Sequence, residues 1–479
     1  MRARYTTSHS RGTDEGKGAG KVAEPRVEEF QIKVGPAESA DEQPSVLVRW
    51  RGSDAQGHIE MDILRGRTLE VLVGLLRTNR LNRIEELRLL GEHLYVTLFR
   101  TSRSELGPSG LLKRAIKAGA LEEGTGRRLL RVSLEIGAGV ERLGTWPWEY
   151  LYIPDDPGEP DTGFFLGERT NFMLTRQLPL AVSVSQRAIS PPLRILFVVL
   201  SPTSPGLPDL EYEAVLETLL QLRDSQGQSR IDLSVLTEQH ADNGTRIGEE
   251  ELGLDVRVTY RSFIRRIEDF DPHVVHIIGH GRYRSDDDLG PSGQIAFPRT
   301  DSAAGWVTDR ELANVLRDSP SLRLVFLQAC ESAETQSNPY QVISGLAQWL
   351  AQRNIPAVIA MHFQVKSMLA NEFARSFYEA MVKRAAIEVA MHEARRQLYT
   401  SGVTGDSQRS GFGLPVLYLR GSGALLTPLE VPETSIEGAG ESRIAELRRP
   451  RLSEGEGEKH SEEFSARSPH GGSSDQHTA

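Results

Sequence analysis

An α/β fold, with a mostly parallel sheet covered by helices, is predicted for the chain from residue 193 onward, with an α+β half before it. Three observations predict this. Strand-length runs in the second half are apolar throughout, the mark of strands buried on both faces. Stretches with helical apolar spacing separate them in alternation, the pattern of parallel strands joined by crossover helices. The length of 479 residues also suffices for two or three domains with at least one large core.

In chain order, residues 1–26 are rich in Gly, Arg, Ser and Thr without apolar periodicity. They are expected to be a disordered tail, because so little apolar surface cannot offset the entropy of ordering. The first half, 27–181, opens with the strand-like stretches FQIKV and SVLVRW. An amphipathic helical region follows around Leu69–Leu90, then the strand RLLRVSLEI and the aromatic segment WPWEYLYIP at Trp146–Pro154. The halves join near Val182–Pro192.

The second half, 193–426, begins with strand LRILFVVLS (193–201). Helix Glu211–Arg223, strand IDLSVLTE (231–238), helix Tyr260–Phe270 and strand HVVHIIGH (273–280) come next. After the short strand QIAFP, Thr308 and Glu311 form a Thr-x-x-Glu capping box that starts a helix. Strand RLVFLQAC (323–330), helix Gln341–Arg353, strand AVIAMHF (357–363), long helices to about Leu398 and strand PVLYLR (415–420) complete it. Residues 431–479 turn to Glu, Ser, Gly, His and Arg and are expected to be a second disordered tail.

Composition narrows the function. Lys plus Arg number 56 and Asp plus Glu 66, for a net charge of −10, which argues against a general binder of nucleic acid or anionic membrane. No apolar run reaches the about 18 residues of a membrane span, and the polar N-terminal stretch is not expected to be a secretory signal. A single cysteine, Cys330, excludes internal disulfides and cysteine-clustered zinc, so a reducing cytoplasmic setting is expected. Neither a metal nor a cofactor is expected.

Chemistry belongs beyond the carboxyl ends of parallel strands, where loops converge. One strand ends in His280-Gly281 and another in Cys330-Glu331. If these strands are neighbours, an imidazole faces the only thiol across the rim. A thiol needs a nearby base or cation to raise its thiolate fraction, and imidazole titrates in the right range. Backbone N–H groups of Gly281 and Cys330 are candidates to stabilise an oxyanion. Taken singly, each residue is more often inert, the Cys a small core hydrophobe and the His a satisfied rim residue.

The segments HVVHIIGHG, LVFLQACESAET, IPAVIAMHFQV, FARSFYEAM, AMHEARRQL and PVLYLR, in this order, resemble the CHAT family of caspase-like cysteine peptidases, related to caspases, separase and gingipains. WPWEYLY and FMLTRQLPL resemble the region that precedes the catalytic part of that family. The resemblance implies a caspase-like three-layer sandwich preceded by a pseudoprotease-like or regulatory half. It implies that His280 is the catalytic histidine and Cys330 the nucleophile of an endopeptidase acting on a protein substrate. It also implies a regulated bacterial defence or cell-death effector, controlled by an activating protein or ligand-sensing partner.

Gln328, Ala329, Met361 and Phe363 flank the strand ends and are expected as substrate-pocket walls. Related sequences often carry Val-(Ser/Thr)-Asp after the strand that follows the nucleophile, where this chain has Val365-Lys366-Ser367. That departure puts a basic P1 preference in doubt, although Asp286, Asp287 and Asp288 could attract Arg or Lys. A loop charge run is more often solvated surface. Glu149 is expected in a structural ion pair beneath Trp148, with orientation of His280 or of a loop arginine as the lesser alternative.

His276 and His280 have HExxH-like spacing, but HIIGH lacks the glutamate and lies on a β-branched strand. GKGAGK at 16–21 has the wrong spacing for a phosphate loop and no preceding strand. Two other functional readings stand beside the peptidase: a caspase-fold scaffold that docks partners, and a small-molecule thiol hydrolase.

Overall fold

The computed structural model describes residues 26–37, 42–60, 62–99, 106–121, 128–155, 162–178, 189, 191–207, 209–226, 230–237, 258–284, 292–301, 303–331, 346–347, 350–352, 355–362, 367–383, 386–404 and 409–420. The first half holds β1 (Arg26–Gly35), β2 (Ser45–Trp50), β3 (Ser53–His58), α1 (Ile63–Arg77), α2 (Ile84–Phe99), α3 (Pro108–Leu121), β4 (Arg128–Ile136), α4 (Glu141–Gly144), β5 (Tyr152–Ile153), β6 (Phe164–Phe165) and β7 (Phe172–Gln177). The second holds β8 (Leu193–Val199), α5 (Glu213–Gln226), β9 (Ile231–Leu236), α6 (Tyr260–Phe270), β10 (Val274–Arg284), β11 (Ser292–Pro298), β12 (Ala304–Thr308), α7 (Asp309–Arg317), β13 (Leu324–Glu331), β14 (Ala357–Met361), α8 (Ser367–Lys383), α9 (Ile387–Thr404) and β15 (Pro415–Leu419).

Local sequence accounts for these elements. In β1, Phe30, Ile32 and Val34 are buried while Gln31 and Lys33 are half-buried, the alternation of a strand with one wet face. β8 apart from half-buried Arg194, β13 from Leu324 to Gln328, and β14 are buried on both faces, as their mainly apolar runs require. The helical stretch expected at Leu69–Leu90 is two helices. α1 stops because Asn79 adopts a left-handed φ of 58°, a conformation that asparagine tolerates better than most residues. The Thr308–Glu311 capping box forms at the start of α7. An unforeseen one, Thr259–Ser262, starts α6, which ends at Asp271 in a left-handed cap.

The strands form one mixed sheet, 13-stranded among the described residues, in the order β12-β11-β10-β13-β14-β15-β7-β4-β1-β2-β3, with β8 and β9 branching from β10. The centre of its second half is parallel: β9, β8, β10, β13 and β14 all run the same way. The sheet continues through both halves because β15, the last strand, pairs antiparallel with β14 and parallel with β7.

Two apolar clusters lie on opposite faces of the parallel strands. Phe326 and Ile278 pack with α5, α8 and α9, whereas Val325 and Ile277 pack with α6 and α7. This is an α/β fold in three layers. Burial of so much Leu, Val, Ile and Phe is the main force holding the layers together, at about 25 cal/mol per Å² of apolar surface.

Candidate active site

The register of β10 against β13 runs from Val274↔Leu324 to His280↔Cys330 and Gly281↔Glu331. His280 and Cys330 therefore occupy opposite positions at the carboxyl ends of adjacent parallel strands, and such positions share a sheet face. Gln328 precedes Cys330 by two residues and pairs in register with Ile278. β14 is the next strand over, in parallel register with β13.

β10 also changes partners here. On its other flank it pairs with parallel β8 as far as Ile278↔Val199, and with antiparallel β11 from Gly281↔Ile295 onward. His280 thus lies at a fork between two strands, the kind of crevice where open α/β sheets bind ligands. Gly279 fits the junction because a Cβ there would lie 3.3 Å from Leu200 Cβ and 3.4 Å from Ile295 Cδ1. His280 itself is only 1% exposed.

The expected pocket residues divide. Met361 closes β14 and is buried in the core on the Phe326 face. Gln328 is buried too, and its Nε2 donates to Asn371 Oδ1 of α8 at 3.0 Å. Ala329 pairs in register with Gly279. Gly281 is flanked in the sheet by Glu331 and Ile295. Phe363, Asp286, Asp287 and Asp288 lie outside the described residues, as do both tails except Arg26.

Glu149 sits in a buried ion cluster. Arg176 Nε and Nη2 donate to its two carboxylate oxygens at 2.9 and 2.6 Å, and Arg395 stands 3.7 Å away. Burial would raise the Glu149 carboxyl, but Arg176 and then Arg395 reverse this and hold it below its ordinary value. The remaining Arg176 donors cap the carbonyls of Gly144 and Trp146. Arg395 donates to the carbonyls of Leu174 and Pro415. His362, just past β14, meets the Thr145 carbonyl with Nε2 at 2.8 Å. Burial, then Arg176, lower its pKa to about 4, so it is a neutral donor.

Sequence reasoning missed two groups around the strand ends. Arg282, two residues past His280, lies over the Trp306 ring at 3.9 Å and donates to Gln294 Oε1 at 2.7 Å. Tyr378 and Asn371 of α8 reach His276 and Gln328 respectively. Their seven-residue spacing, two helical turns on one face, was the available signal. Among the described residues no group of three or more His, Cys, Asp or Glu side chains could hold a metal ion. No described helix is long and apolar enough to cross a membrane.

Comparison with protein families matches residues 96–411 to the CHAT domain. The chain belongs to the CHAT domain family. A comparison with curated proteins finds no match. Among solved structures, this CHAT chain is similar to a secreted C11 cysteine protease from Bacteroides thetaiotaomicron in complex with an irreversible peptide inhibitor. That likeness has 14% identity and a TM-score of 0.28, covering 44% of this chain and 59% of that one. It is also similar to the Saccharomyces cerevisiae separase in its complex with securin, at 10% identity and a TM-score of 0.40, covering 83% of this chain and 30% of that one. A third likeness is to the Arg-specific cysteine proteinase gingipain R, at 10% identity and a TM-score of 0.37, covering 69% and 70%.

Proposed function

We propose that this CHAT protein is a cysteine endopeptidase acting on a protein substrate through His280 and Cys330. Family membership supports a cysteine peptidase-like function. The observation that carries the assignment of residues is the His280↔Cys330 register at the carboxyl ends of β10 and β13.

In the proposed reaction His280 takes the thiol proton and the Cys330 thiolate attacks a peptide carbonyl. Backbone N–H groups near the strand ends stabilise the oxyanion. His280 then gives its proton to the leaving amine, and water hydrolyses the thioester to release the acid and regenerate the thiol. Gly281 stands between Glu331 and Ile295 in the sheet, so its N–H lies in the sheet plane toward one of these neighbours.

The burial of His280 supports a regulated form of this activity. A peptide reaches that imidazole only after the groups covering it move, which an activating protein or ligand could drive. A bacterial defence or cell-death role, as the family resemblance implies, fits such control. The same burial favours a second reading, a partner-docking scaffold that performs no proteolysis.

The test is a mixed peptide library incubated with wild type, Cys330→Ala and His280→Ala, alone and with products of neighbouring genes. Cleavage by wild type that both substitutions abolish supports the peptidase, and the cut sites give its P1 preference. Silence of wild type under every condition, with partner binding intact in Cys330→Ala, supports the scaffold.

A further inference from the structure

Four buried or half-buried polar side chains beneath the strand ends connect β10, β13 and α8, and the proposed chemistry uses none of them. His276 is the register partner of Phe197 on one flank and Phe326 on the other. Its ring lies flat on Phe326, with centroids 4.1 Å apart and planes 2° apart, and edge-on to Phe197 at 5.2 Å. This aromatic slot leaves only the ring's in-plane edges for hydrogen bonds. On one edge Nδ1 lies 3.1 Å from the Tyr378 hydroxyl.

Tyr378 is fully buried, and burial holds its proton firmly. The hydroxyl therefore donates, Nδ1 accepts, and the imidazole carries its proton on Nε2. Burial keeps the ring neutral, with its pKa lowered to about 3. His276 Nε2 and Gln328 Oε1 are then a buried donor and a buried acceptor, neither of which has a hydrogen-bond partner among the described residues. Gln328 is the polar side chain whose interaction raises the His276 pKa against the effect of burial, and a small adjustment would pair the two unpartnered atoms. Its amide nitrogen continues the chain to Asn371 Oδ1 at 3.0 Å.

We propose that Tyr378, His276, Gln328 and Asn371 form a one-way hydrogen-bond chain that pins the first turns of α8 against the ends of β10 and β13 as a substrate-facing wall. Gln328 and Asn371 are then positioning residues for substrate binding, and Gln328 is not itself a pocket wall. The substrate half of this inference rests on the peptidase reading. The pinning of α8 stands without it.

The test uses the full chain and compares wild type with Asn371→Leu, Gln328→Met and Asn371→Asp. The last keeps an oxygen to accept from Gln328. Hydrogen exchange over residues 367–374 should quicken about tenfold in the first two variants and stay within about twofold in Asn371→Asp, with α9 unchanged in all three. Cys330 is the only cysteine, so alkylation reports it alone. Its rate with iodoacetamide should change less than about threefold. For an irreversible peptide electrophile, the half-saturating concentration should rise about tenfold in Asn371→Leu and Gln328→Met with little change in limiting rate, and Asn371→Asp should restore it.

Unchanged exchange in Asn371→Leu and Gln328→Met overturns the chain, whatever the activity. Faster exchange with an unchanged half-saturating concentration overturns its link to substrate. A wild type that no peptide electrophile labels, with or without neighbouring gene products, removes the peptidase reading together with the substrate half, and the exchange result alone then decides the pinning.

Discussion

At the scale of single residues, the core histidines make stability depend on pH. His362 and His276 have folded pKa values of about 4 and about 3, against an ordinary value of 6.5. Below pH 6.5 the unfolded chain takes up protons that the folded one refuses, so stability is full above that value and falls as pH drops. Each such histidine contributes a slope of about 1.4 kcal/mol per pH unit down to its folded pKa. Urea denaturation at pH 7, 6 and 5 should show this loss. His362→Gln keeps an amide donor for the Thr145 carbonyl and should flatten the slope by one histidine's share; an unaltered slope would contradict the assignment. His276 was visible in the sequence only as half of a failed metal motif. The residue that explains it, Tyr378, lies 102 positions away, and no local pattern links the two.

At the scale of elements, two helical glycines make opposite predictions. Gly74 in α1 has nothing within 4 Å of a built Cβ, whereas Gly91 in α2 would place one 2.3 Å from the Tyr150 carbonyl oxygen and 2.6 Å from Tyr152 Cβ. Gly74→Ala should stabilise the protein by about 0.5–1 kcal/mol through helix propensity. Gly91→Ala should destabilise it by about 1–3 kcal/mol, because α2 must move away from the Tyr150–Tyr152 backbone. Denaturant midpoints of the two variants should therefore shift in opposite directions. Elements of this kind were largely legible in advance. α6 matched its expected range, and β4 matched RLLRVSLEI. These segments carry a strong period or an unbroken apolar run with clear ends. The division of Leu69–Leu90 into two helices was less legible, because the break depends on one Asn taking a positive φ.

At the scale of the whole molecule, strand order was the least legible feature. Nothing local in PVLYLR says that this last strand lies between β14 and β7, a choice set by partners far away in the chain. The β7–β15 ladder is short, spanning Tyr418↔Arg176 and Leu419↔Gln177. Arg395, bonded to carbonyls on both strands, reinforces it. Phe412 does so from the side, edge-on to Tyr150, Phe165 and Tyr399. Residues 1–181 and 193–479 produced as separate chains should each expose an unpaired strand edge and fail to unfold cooperatively. Produced together, they should copurify and recover one transition. Two independent transitions in the intact chain would show instead that the halves fold separately. The candidate site was legible as two residues and illegible as an environment. Cys330 and His280 stood out as strand ends, whereas the fork in β10 and the Gln328–Asn371 bond arise only from assembly.

The stacking of Arg282 on Trp306 also has an optical consequence. An indole beneath a guanidinium emits according to the field and the water around it, and the guanidinium here is that of Arg282, two positions beyond His280 on β10, while the indole stands on β12. A ligand that binds in the fork should disturb that field and change the Trp306 emission; an emission unaltered at saturating ligand would contradict this. Titration of a peptide aldehyde against wild type and Trp306→Phe would isolate its signal from that of the other tryptophans, without any attached dye.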